Sequence, residues 1–144
     1  MRVRVKICGI TRPEHGVTAA LHGADAIGLV FHPGSPRFVE VDTARAIAEA
    51  LPPFVTVVGL FVDEEVDRIQ SILKQVPLDM LQFHGNETPE ACAALGMPYI
   101  KAITMREDID PARMGLEYSE ARGLLLDAYR AGVPGGTGEA FDLD

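Results

Sequence analysis

The sequence predicts an α/β fold with a parallel β-sheet, and three observations support this class. Six short runs rich in Val, Ile and Leu are spread along the 144 residues, and most are nearly continuous in apolar side chains. Such runs are typical of strands that are covered on both faces. Stretches with helical spacing of apolar residues lie between them. The runs also start at intervals of 20 to 29 residues, which indicates a repeated strand–helix unit.

Six strands are predicted in this order along the chain. They are Val3–Cys8, Asp25–Phe31, Phe54–Phe61, Asp79–His84, Tyr99–Thr104 and Gly123–Ala128. Repeated strand–helix units form either a doubly wound open sheet or a (β/α)8 TIM barrel. The spacing of the strands alone does not choose between the two.

Five helices are predicted between these strands, each from a start signal and apolar periodicity. Thr11 begins a capping-box pattern, and Asp42 and Asp63 precede the next two amphipathic stretches, so we expect these three residues to be N-caps. Thr88-Pro89 places a capping hydroxyl before a proline at the first helical position, which predicts the start of the fourth helix. A short fifth helix is expected within residues 106–122.

Composition excludes several classes of protein. Hydrophobic residues make up 47% and charged residues 24%, which is ordinary for a globular chain and argues against disorder. A net charge of −8 and the absence of a dense basic cluster argue against nucleic-acid binding. Apolar runs are too short for a membrane span, and the first ten residues lack the apolar core of a signal peptide. We therefore expect a cytoplasmic protein that binds neither nucleic acid nor membrane.

The cysteines and histidines predict neither disulfides nor a metal site. Cys8 and Cys92 are expected to be reduced in the cytoplasm. The four histidines have no CxxC or HxxxH partner, so no metal is predicted.

The length predicts a single domain, residues 1–144, that is a partial barrel. A complete barrel of this kind needs about 200 residues. Only six strands and five helices fit here, so we expect a fragment of a longer protein. The first and sixth strands would then be open edges through which copies could associate.

Candidate site residues lie where the predicted strands end, because ligands of parallel α/β folds bind beyond the carboxyl ends of the strands. Cys8 is either a base or nucleophile or a small buried hydrophobe. Asp127 follows three leucines and is either a proton donor or a structural partner. Arg37, in a loop rich in Pro and Gly, could bind a carboxylate or phosphate or be solvated. Gln82 and His84 alternate on one strand and should face one side, the barrel interior, although a satisfied core histidine explains His84 equally well.

Two further features are weaker. Lys101 and Lys6 lie within strands and are expected at interior positions. A glycine-rich run, Gly132–Gly138, could close over a substrate or simply connect two elements.

Seven segments in series resemble the phosphoribosylanthranilate isomerase family of TIM-barrel enzymes. They are KICGIT (Lys6–Thr11), GLVFHPGSPRFV (Gly28–Val39), VGLFVD (Val58–Asp63), LQFHGNE (Leu81–Glu87), KAI (Lys101–Ile103), LLLDA (Leu124–Ala128) and GGTGEAFD (Gly135–Asp142). Each segment alone is a weak signal, whereas seven in the family's order are specific.

The resemblance implies the barrel fold and the Amadori rearrangement of N-(5-phosphoribosyl)anthranilate in tryptophan biosynthesis, with no cofactor or metal. It implies that Cys8 is the general base, that Asp127 is the general acid and that Arg37 contacts the anthranilate carboxylate. The other residues that we expect to bind the phosphorylated small-molecule substrate are Gln82, His84, Gly135 and Gly136. Barrels of this type hold phosphate in the loops after strands seven and eight. We therefore expect the chain to be poorly active unless a partner supplies them.

Three alternatives remain open from the residues themselves. One is a related phosphosugar barrel, such as a histidine-pathway isomerase or an indoleglycerol-phosphate synthase, against which Cys8 argues. The second is a non-catalytic α/β fragment that self-associates. The third is a flavodoxin-like binding module, for which the loop after the first strand is poorly suited.

Overall fold

The computed structural model describes residues 2–128, which form a six-stranded parallel sheet and five helices. The strands are β1 (Lys6–Cys8), β2 (Ala26–Val30), β3 (Thr56–Phe61), β4 (Met80–Phe83), β5 (Tyr99–Met105) and β6 (Gly123–Ala128). The helices are α1 (Pro13–Leu21), α2 (Val41–Ala50), α3 (Val66–Leu73), α4 (Pro89–Ala93) and α5 (Pro111–Glu117). Strands and helices alternate as predicted.

The order of the strands chooses between the two predicted architectures. Every strand pairs in parallel with the next one along the chain, from β1 to β6. Strand–helix–strand connections are right-handed, so crossovers that all run in one direction place their helices on the same face of the sheet. A doubly wound sheet instead reverses its order and carries helices on both faces. The described residues therefore form part of a barrel, and the predicted (β/α)8 class is confirmed.

Contacts between distant strands show that this sheet is strongly curved. The Lys6 ammonium group on β1 donates to Gln82 Oε1 on β4 at 2.5 Å. Three strand spacings in a flat sheet would separate those strands by about 14 Å. His84, just past β4, similarly reaches Asp127 on β6. The face that carries these groups is thus concave and is the interior of the barrel.

The opposite, convex face packs against the helices and forms the main hydrophobic core. Phe31 and Phe61 stack there with ring centroids 5.2 Å apart, and Phe83 meets Tyr99 edge to face at 5.7 Å. The helices contribute buried faces of their own, such as Ile69 and Ile72 of α3. Among residues 2–128 no helix is long and apolar enough to cross a membrane.

Two of the helix starts follow local sequence signals. Thr88 caps α4 through its hydroxyl oxygen, which accepts the Ala91 amide at 3.3 Å, and Pro89 takes the first helical position as predicted. Asp110 caps α5 in the same way by accepting the Ala112 amide at 2.9 Å. The short helix predicted within residues 106–122 is therefore confirmed.

The three other predicted N-caps are wrong. Helix α1 begins after Arg12 rather than Thr11, and no side chain caps it. Helix α2 begins one residue before Asp42, whose carboxylate instead pairs with Arg45 at 2.7 Å. The Asp63 carboxylate accepts the Asn86 amide at 2.6 Å, so it joins two loops instead of capping α3.

Two salt bridges to Asp25 hold residues 2–5 at the amino-terminal end of the sheet. Asp25 accepts the Val5 amide at 2.9 Å and also pairs with Arg2 and Arg4. The Val5 amide, followed by the two guanidinium groups, holds the pKa of Asp25 well below its usual range. These contacts lie away from the carboxyl ends of the strands and serve stability.

Candidate active site

Cys8 ends β1 at the carboxyl edge of the sheet, on the interior face. Its register partner is Gly28 on β2. A Cβ atom at position 28 would lie 2.7 Å from the Cys8 sulfur, which is closer than van der Waals contact allows. Glycine at this position therefore leaves room for the thiol. Cys8 is partly exposed, so a ligand at the barrel mouth can reach it.

Arg37 lies directly beside Cys8, although the two are 29 positions apart in sequence. Its guanidinium group donates to the Cys8 carbonyl oxygen at 2.9 Å. The side chain crosses over Gly9, where a Cβ atom would meet Arg37 Cδ. Gly9 also has a φ of +82°, a conformation that favours glycine. A guanidinium group has five N–H donors, so Arg37 can bind a ligand carboxylate with those that Cys8 does not use.

A row of four polar side chains crosses the barrel interior. Lys6 bonds the carbonyl oxygen of the Gln82 side chain, and the amide nitrogen of the same side chain lies 2.9 Å from His84 Nδ1. The other ring nitrogen, Nε2, lies 3.1 Å from Asp127 Oδ2. Gln82 is buried, whereas His84 and Asp127 keep 24% and 16% of their side-chain surface exposed. The row is therefore most buried at Gln82, and its end at Asp127, on the carboxyl-terminal half of β6, is partly exposed.

These contacts agree with two expectations from the strand pattern. Gln82 and His84 do lie on one side of their strand, and Lys6 faces the interior. Both polar ends of Gln82 are engaged by Lys6 and His84. That geometry favours a positioning role for Gln82 over direct contact with substrate.

Lys101 is not an interior residue, contrary to expectation. It pairs in register with Phe83 on β4 and Leu124 on β6, whose side chains belong to the convex face. Its ammonium group donates to the Gly85 carbonyl at 2.7 Å and to Glu87 Oε2 at 3.2 Å. Lys101 therefore anchors the loop after β4 from the convex side of the sheet.

Glu87 is a buried acidic residue that sequence reasoning did not single out. Its carboxylate accepts the backbone amides of Asp63, at 2.8 Å, and Gly85, at 2.9 Å, in addition to the Lys101 ammonium group. The Tyr118 hydroxyl donates to the Glu87 carbonyl at 2.8 Å, and burial raises the pKa of Tyr118 to about 12. These bonds join the loops after β3 and β4 to β5 and α5. A signal existed in the acid that follows the predicted fourth strand in LQFHGNE.

Cys92 behaves as an ordinary core residue. It is fully buried in α4. Burial, assisted by the nearby Glu87 carboxylate, raises the pKa of the Cys92 thiol to about 11. Cys8 is thus the more accessible of the two thiols.

Comparison with known proteins decides between the readings that the residues left open. A family model described as N-(5'-phosphoribosyl)anthranilate (PRA) isomerase matches residues 5–144. This chain belongs to the PRA isomerase family. An N-(5'-phosphoribosyl)anthranilate isomerase from Nitrosococcus oceani is 58% identical over 142 residues, which are 99% of this chain and 69% of that relative.

Solved structures of PRA isomerases share the fold. The Thermotoga maritima enzyme superimposes with a TM-score of 0.88 at 41% identity, covering 98% of this chain and 68% of that one. Another, solved with reduced 1-(o-carboxyphenylamino)-1-deoxyribulose 5-phosphate, gives a TM-score of 0.82 at 42% identity and covers 89% and 66%. The chain thus spans about two thirds of the length of these relatives.

Membership of the PRA isomerase family confirms the predicted family and its isomerase class. It excludes two of the alternative hypotheses, a related phosphosugar barrel and a flavodoxin-like module. Of the predicted site residues, Cys8 and Arg37 lie together, and His84 and Asp127 are hydrogen-bonded. The roles of these residues stay predictions. Gly135 and Gly136 lie outside the described residues, as does the rest of the glycine-rich run.

Proposed function

We propose that this chain catalyses the Amadori rearrangement of N-(5-phosphoribosyl)anthranilate with Cys8 as general base, Asp127 as general acid and Arg37 as the carboxylate-binding group. The observation that carries the proposal is the pairing of Arg37 with the Cys8 backbone at the barrel mouth. A thiol beside a guanidinium group suits a substrate that carries both an acidic C–H bond and a benzoate carboxylate. The compartment that we propose is the cytoplasm, since Cys8 must stay reduced to act.

The acid acts first. The substrate is a furanosylamine, and protonation of its ring oxygen allows the bond between that oxygen and C1′ to break. Asp127 gives this proton and becomes a carboxylate, while the anilino nitrogen supplies the electron pair that forms the protonated imine. Asp127 suits this role because it is partly exposed near the carboxyl end of β6, with one carboxyl oxygen held by His84.

The base acts next. The protonated imine makes the proton on C2′ acidic, and the Cys8 thiolate removes it to give an enolamine. The enolamine then tautomerises to the ketone as C1′ gains a proton and the hydroxyl group on C2′ loses one. Strands one and six of an eight-stranded barrel lie across the mouth from each other, so the acid and the base act from opposite sides of the substrate. Each such group contributes about 10²–10⁴ in rate.

Arg37 places the aromatic part of the substrate. A guanidinium group binds a carboxylate through two parallel N–H donors. Its position beside Cys8 sets the anthranilate near the base, and the sugar then extends towards Asp127. The same contact is expected to bind the reduced product analogue, which retains the carboxyl group.

We further propose His84, Gly135 and Gly136 as contacts to the phosphorylated substrate, and self-association through β1 and β6, the edge strands of the sheet that residues 2–128 form. The phosphate of substrates bound by such barrels is held by the loops after strands seven and eight, whereas residues 2–128 contain six strands. We therefore expect slow turnover from the 144-residue chain alone. Size-exclusion chromatography with light scattering tests the association, and a monomer at all concentrations contradicts it.

Fluorescence of freshly generated N-(5-phosphoribosyl)anthranilate tests the chemistry. The purified chain should cause a decay slower than that given by the Nitrosococcus oceani enzyme. Cys8→Ala and Asp127→Asn should each slow the decay by about 10²-fold or more. Cys92→Ala is the matched thiol control and should leave the rate within about twofold of the parent chain, because it removes one buried sulfur from the hydrophobic core between helices and sheet.

The alternative outcomes are separable. Decay that persists at the parent rate in Cys8→Ala contradicts the base assignment, and decay as fast as the full-length relative contradicts the expected need for further strands. If the folded chain shows no decay, binding of the reduced product analogue decides what remains of the proposal. Binding that weakens about tenfold or more in Arg37→Met supports the carboxylate contact, and equal binding rejects it.

A further inference from the structure

Each hydrogen bond of the polar row inside the barrel has a defined donor and acceptor, and Lys6 determines which atom is which. A lysine ammonium group carries three N–H donors and no acceptor. The Gln82 atom that it contacts must therefore be the carbonyl oxygen. The amide nitrogen of Gln82, with its two hydrogens, is then the atom that faces His84 Nδ1. The contact with Lys6 thus determines which end of the amide points along the row.

Gln82 in turn fixes the tautomer of His84. Because Nδ1 faces an amide N–H donor, Nδ1 must accept and carries no proton. The single proton of the neutral ring is then on Nε2. That nitrogen faces Asp127 Oδ2 at 3.1 Å, so the ring donates to the carboxyl group. The alternative tautomer would place two donors opposite each other at Nδ1 and two acceptors opposite each other at Nε2.

The direction of the row also distinguishes the two oxygens of Asp127. Oδ2 receives the N–H group of His84, so a proton on Oδ2 would meet another hydrogen. A protonated Asp127 must therefore carry its proton on Oδ1. Since Oδ2 is bonded to His84, Oδ1 is the oxygen that exchanges a proton with a ligand at the mouth.

We propose that Lys6, Gln82 and His84 form a positioning relay that holds Asp127 by Oδ2 and makes Oδ1 the proton-donating oxygen. The relay rests on the proposed function, because it takes Asp127 to be the general acid. Lys6, Gln82 and His84 act through Asp127, and none of the three needs to touch the reacting atoms. Gln82, only 1% exposed, keeps water from replacing the central bonds.

The four residues come from strands that are not neighbours, which gives the relay its rigidity. Lys6 stands on β1, Gln82 and His84 belong to β4 and its end, and Asp127 is on β6. The bonds from Lys6 to Gln82 and from His84 to Asp127 thus span the concave face, and the bond between Gln82 and His84 connects them along β4. A displacement of about 1 Å in a catalytic group can cost about 10²-fold in rate, so such bracing matters to an acid.

Nuclear magnetic resonance of the histidine ring nitrogens tests the relay without requiring turnover. Long-range proton–nitrogen correlation distinguishes a ring protonated on Nε2 from one protonated on Nδ1. Four histidines are present, and His84→Asn identifies the His84 signals. His22 is an internal reference of opposite tautomer, because its Nδ1 lies 2.8 Å from the Thr18 carbonyl oxygen, which can only accept.

His84 should show Nε2 protonated and Nδ1 bare in the parent chain. In Gln82→Glu the new carboxylate accepts from both sides, so Nδ1 should gain a proton while the side-chain shape is kept. Lys6→Met should release the amide and mix the two tautomers, and Lys6→Arg should restore a single one. The His22 signals should stay unchanged in all of these variants. A parent His84 with its proton on Nδ1, or a His84 unaffected by Gln82→Glu, overturns the relay.

Steady-state kinetics provide a second test of the relay. Gln82→Glu and Lys6→Met should lower kcat by about tenfold or more with KM nearly unchanged, and Lys6→Arg should recover most of it. Equal kcat in the parent and Gln82→Glu contradicts the relay even where the tautomer changes. Failure of the relay leaves the dependence on Cys8 and Asp127 intact, whereas failure of the proposed function removes that dependence while the tautomer pattern persists.

Discussion

Removing one partner of the buried Lys101–Glu87 pair should destabilise the fold strongly. The two side chains are 4% and 6% exposed, and their charged atoms lie 3.2 Å apart. Lys101→Met leaves the Glu87 carboxylate buried with only backbone amides as partners. Loss of one member of a buried ion pair costs about 3–5 kcal/mol, because the remaining charge is uncompensated. We therefore expect the free energy of unfolding to fall by that amount.

A double-mutant cycle separates this effect from the simple loss of side-chain packing. Glu87→Gln should cost a similar amount, since Lys101 then keeps only carbonyl acceptors at Phe83, Gly85 and Ala102. The double variant should be less destabilised than the sum of the two, with a coupling of about 0.5–3 kcal/mol. Urea denaturation followed by far-ultraviolet circular dichroism gives all four free energies.

The matched control is Lys74→Met, which removes a lysine that is exposed at the end of α3. It should cost less than about 1 kcal/mol, because only the helix terminus loses a favourable charge. A loss below about 1 kcal/mol in Lys101→Met, or additive effects in the cycle, would refute the supporting role.

Three further predictions concern the site and its surroundings. Gly28→Ala should push the Cys8 sulfur aside, slow isomerisation by about tenfold or more and cost about 1–3 kcal/mol in unfolding free energy. Gly123→Ala should be neutral or mildly stabilising, because no described residue lies within 4 Å of an added Cβ atom there; equal rates in the two variants would argue against the packing. A thiol reagent should label one of the two cysteines quickly, and mass spectrometry should find it on Cys8 while Cys92 reacts only on unfolding; rapid labelling of both would contradict this. Because the pKa of Asp25 is lower in the folded state than the unfolded value of about 3.9, its contribution to stability is present above that value and is lost as pH falls. Asp25→Asn should therefore destabilise the chain near neutral pH, and the difference from the parent in urea midpoint should shrink towards about pH 3; a difference that is constant with pH would contradict it.

The strands could be predicted from sequence because their apolar runs are long and regularly spaced, whereas their faces could be predicted only in part. On β4 the polar Gln82 alternates with the apolar Leu81 and Phe83, so its orientation is evident from the sequence. On β5 the apolar Ala102 and Ile103 follow Lys101 on opposite faces of the strand. A strand with apolar residues on both faces gives no alternation that shows which face Lys101 occupies. The register with β4 was needed to show that Lys101 faces the helices.

Helix caps were predictable only where the capping bond is local. Thr88 bonds an amide three residues ahead in its own helix, and its signal was correct. Asp63 has the same capping chemistry but bonds Asn86, which only the fold brings near. Glu87 was overlooked for a similar reason, since its partners lie on three separate segments. The Asp63 signal therefore failed because a tertiary partner competes for its carboxylate.

The spacing in KICG connects the two halves of the proposed chemistry. Lys6 and Cys8 are two positions apart on β1, and side chains two apart on a strand share a face. The base is thus placed at the mouth by the same alternation that sends Lys6 inward to Gln82 and, through His84, to the acid on β6. A shift of β1 by one residue would turn both side chains to the convex face. Correct register of this three-residue strand with β2, where Gly28 admits the thiol, is therefore a condition for both the base and the orientation of the acid.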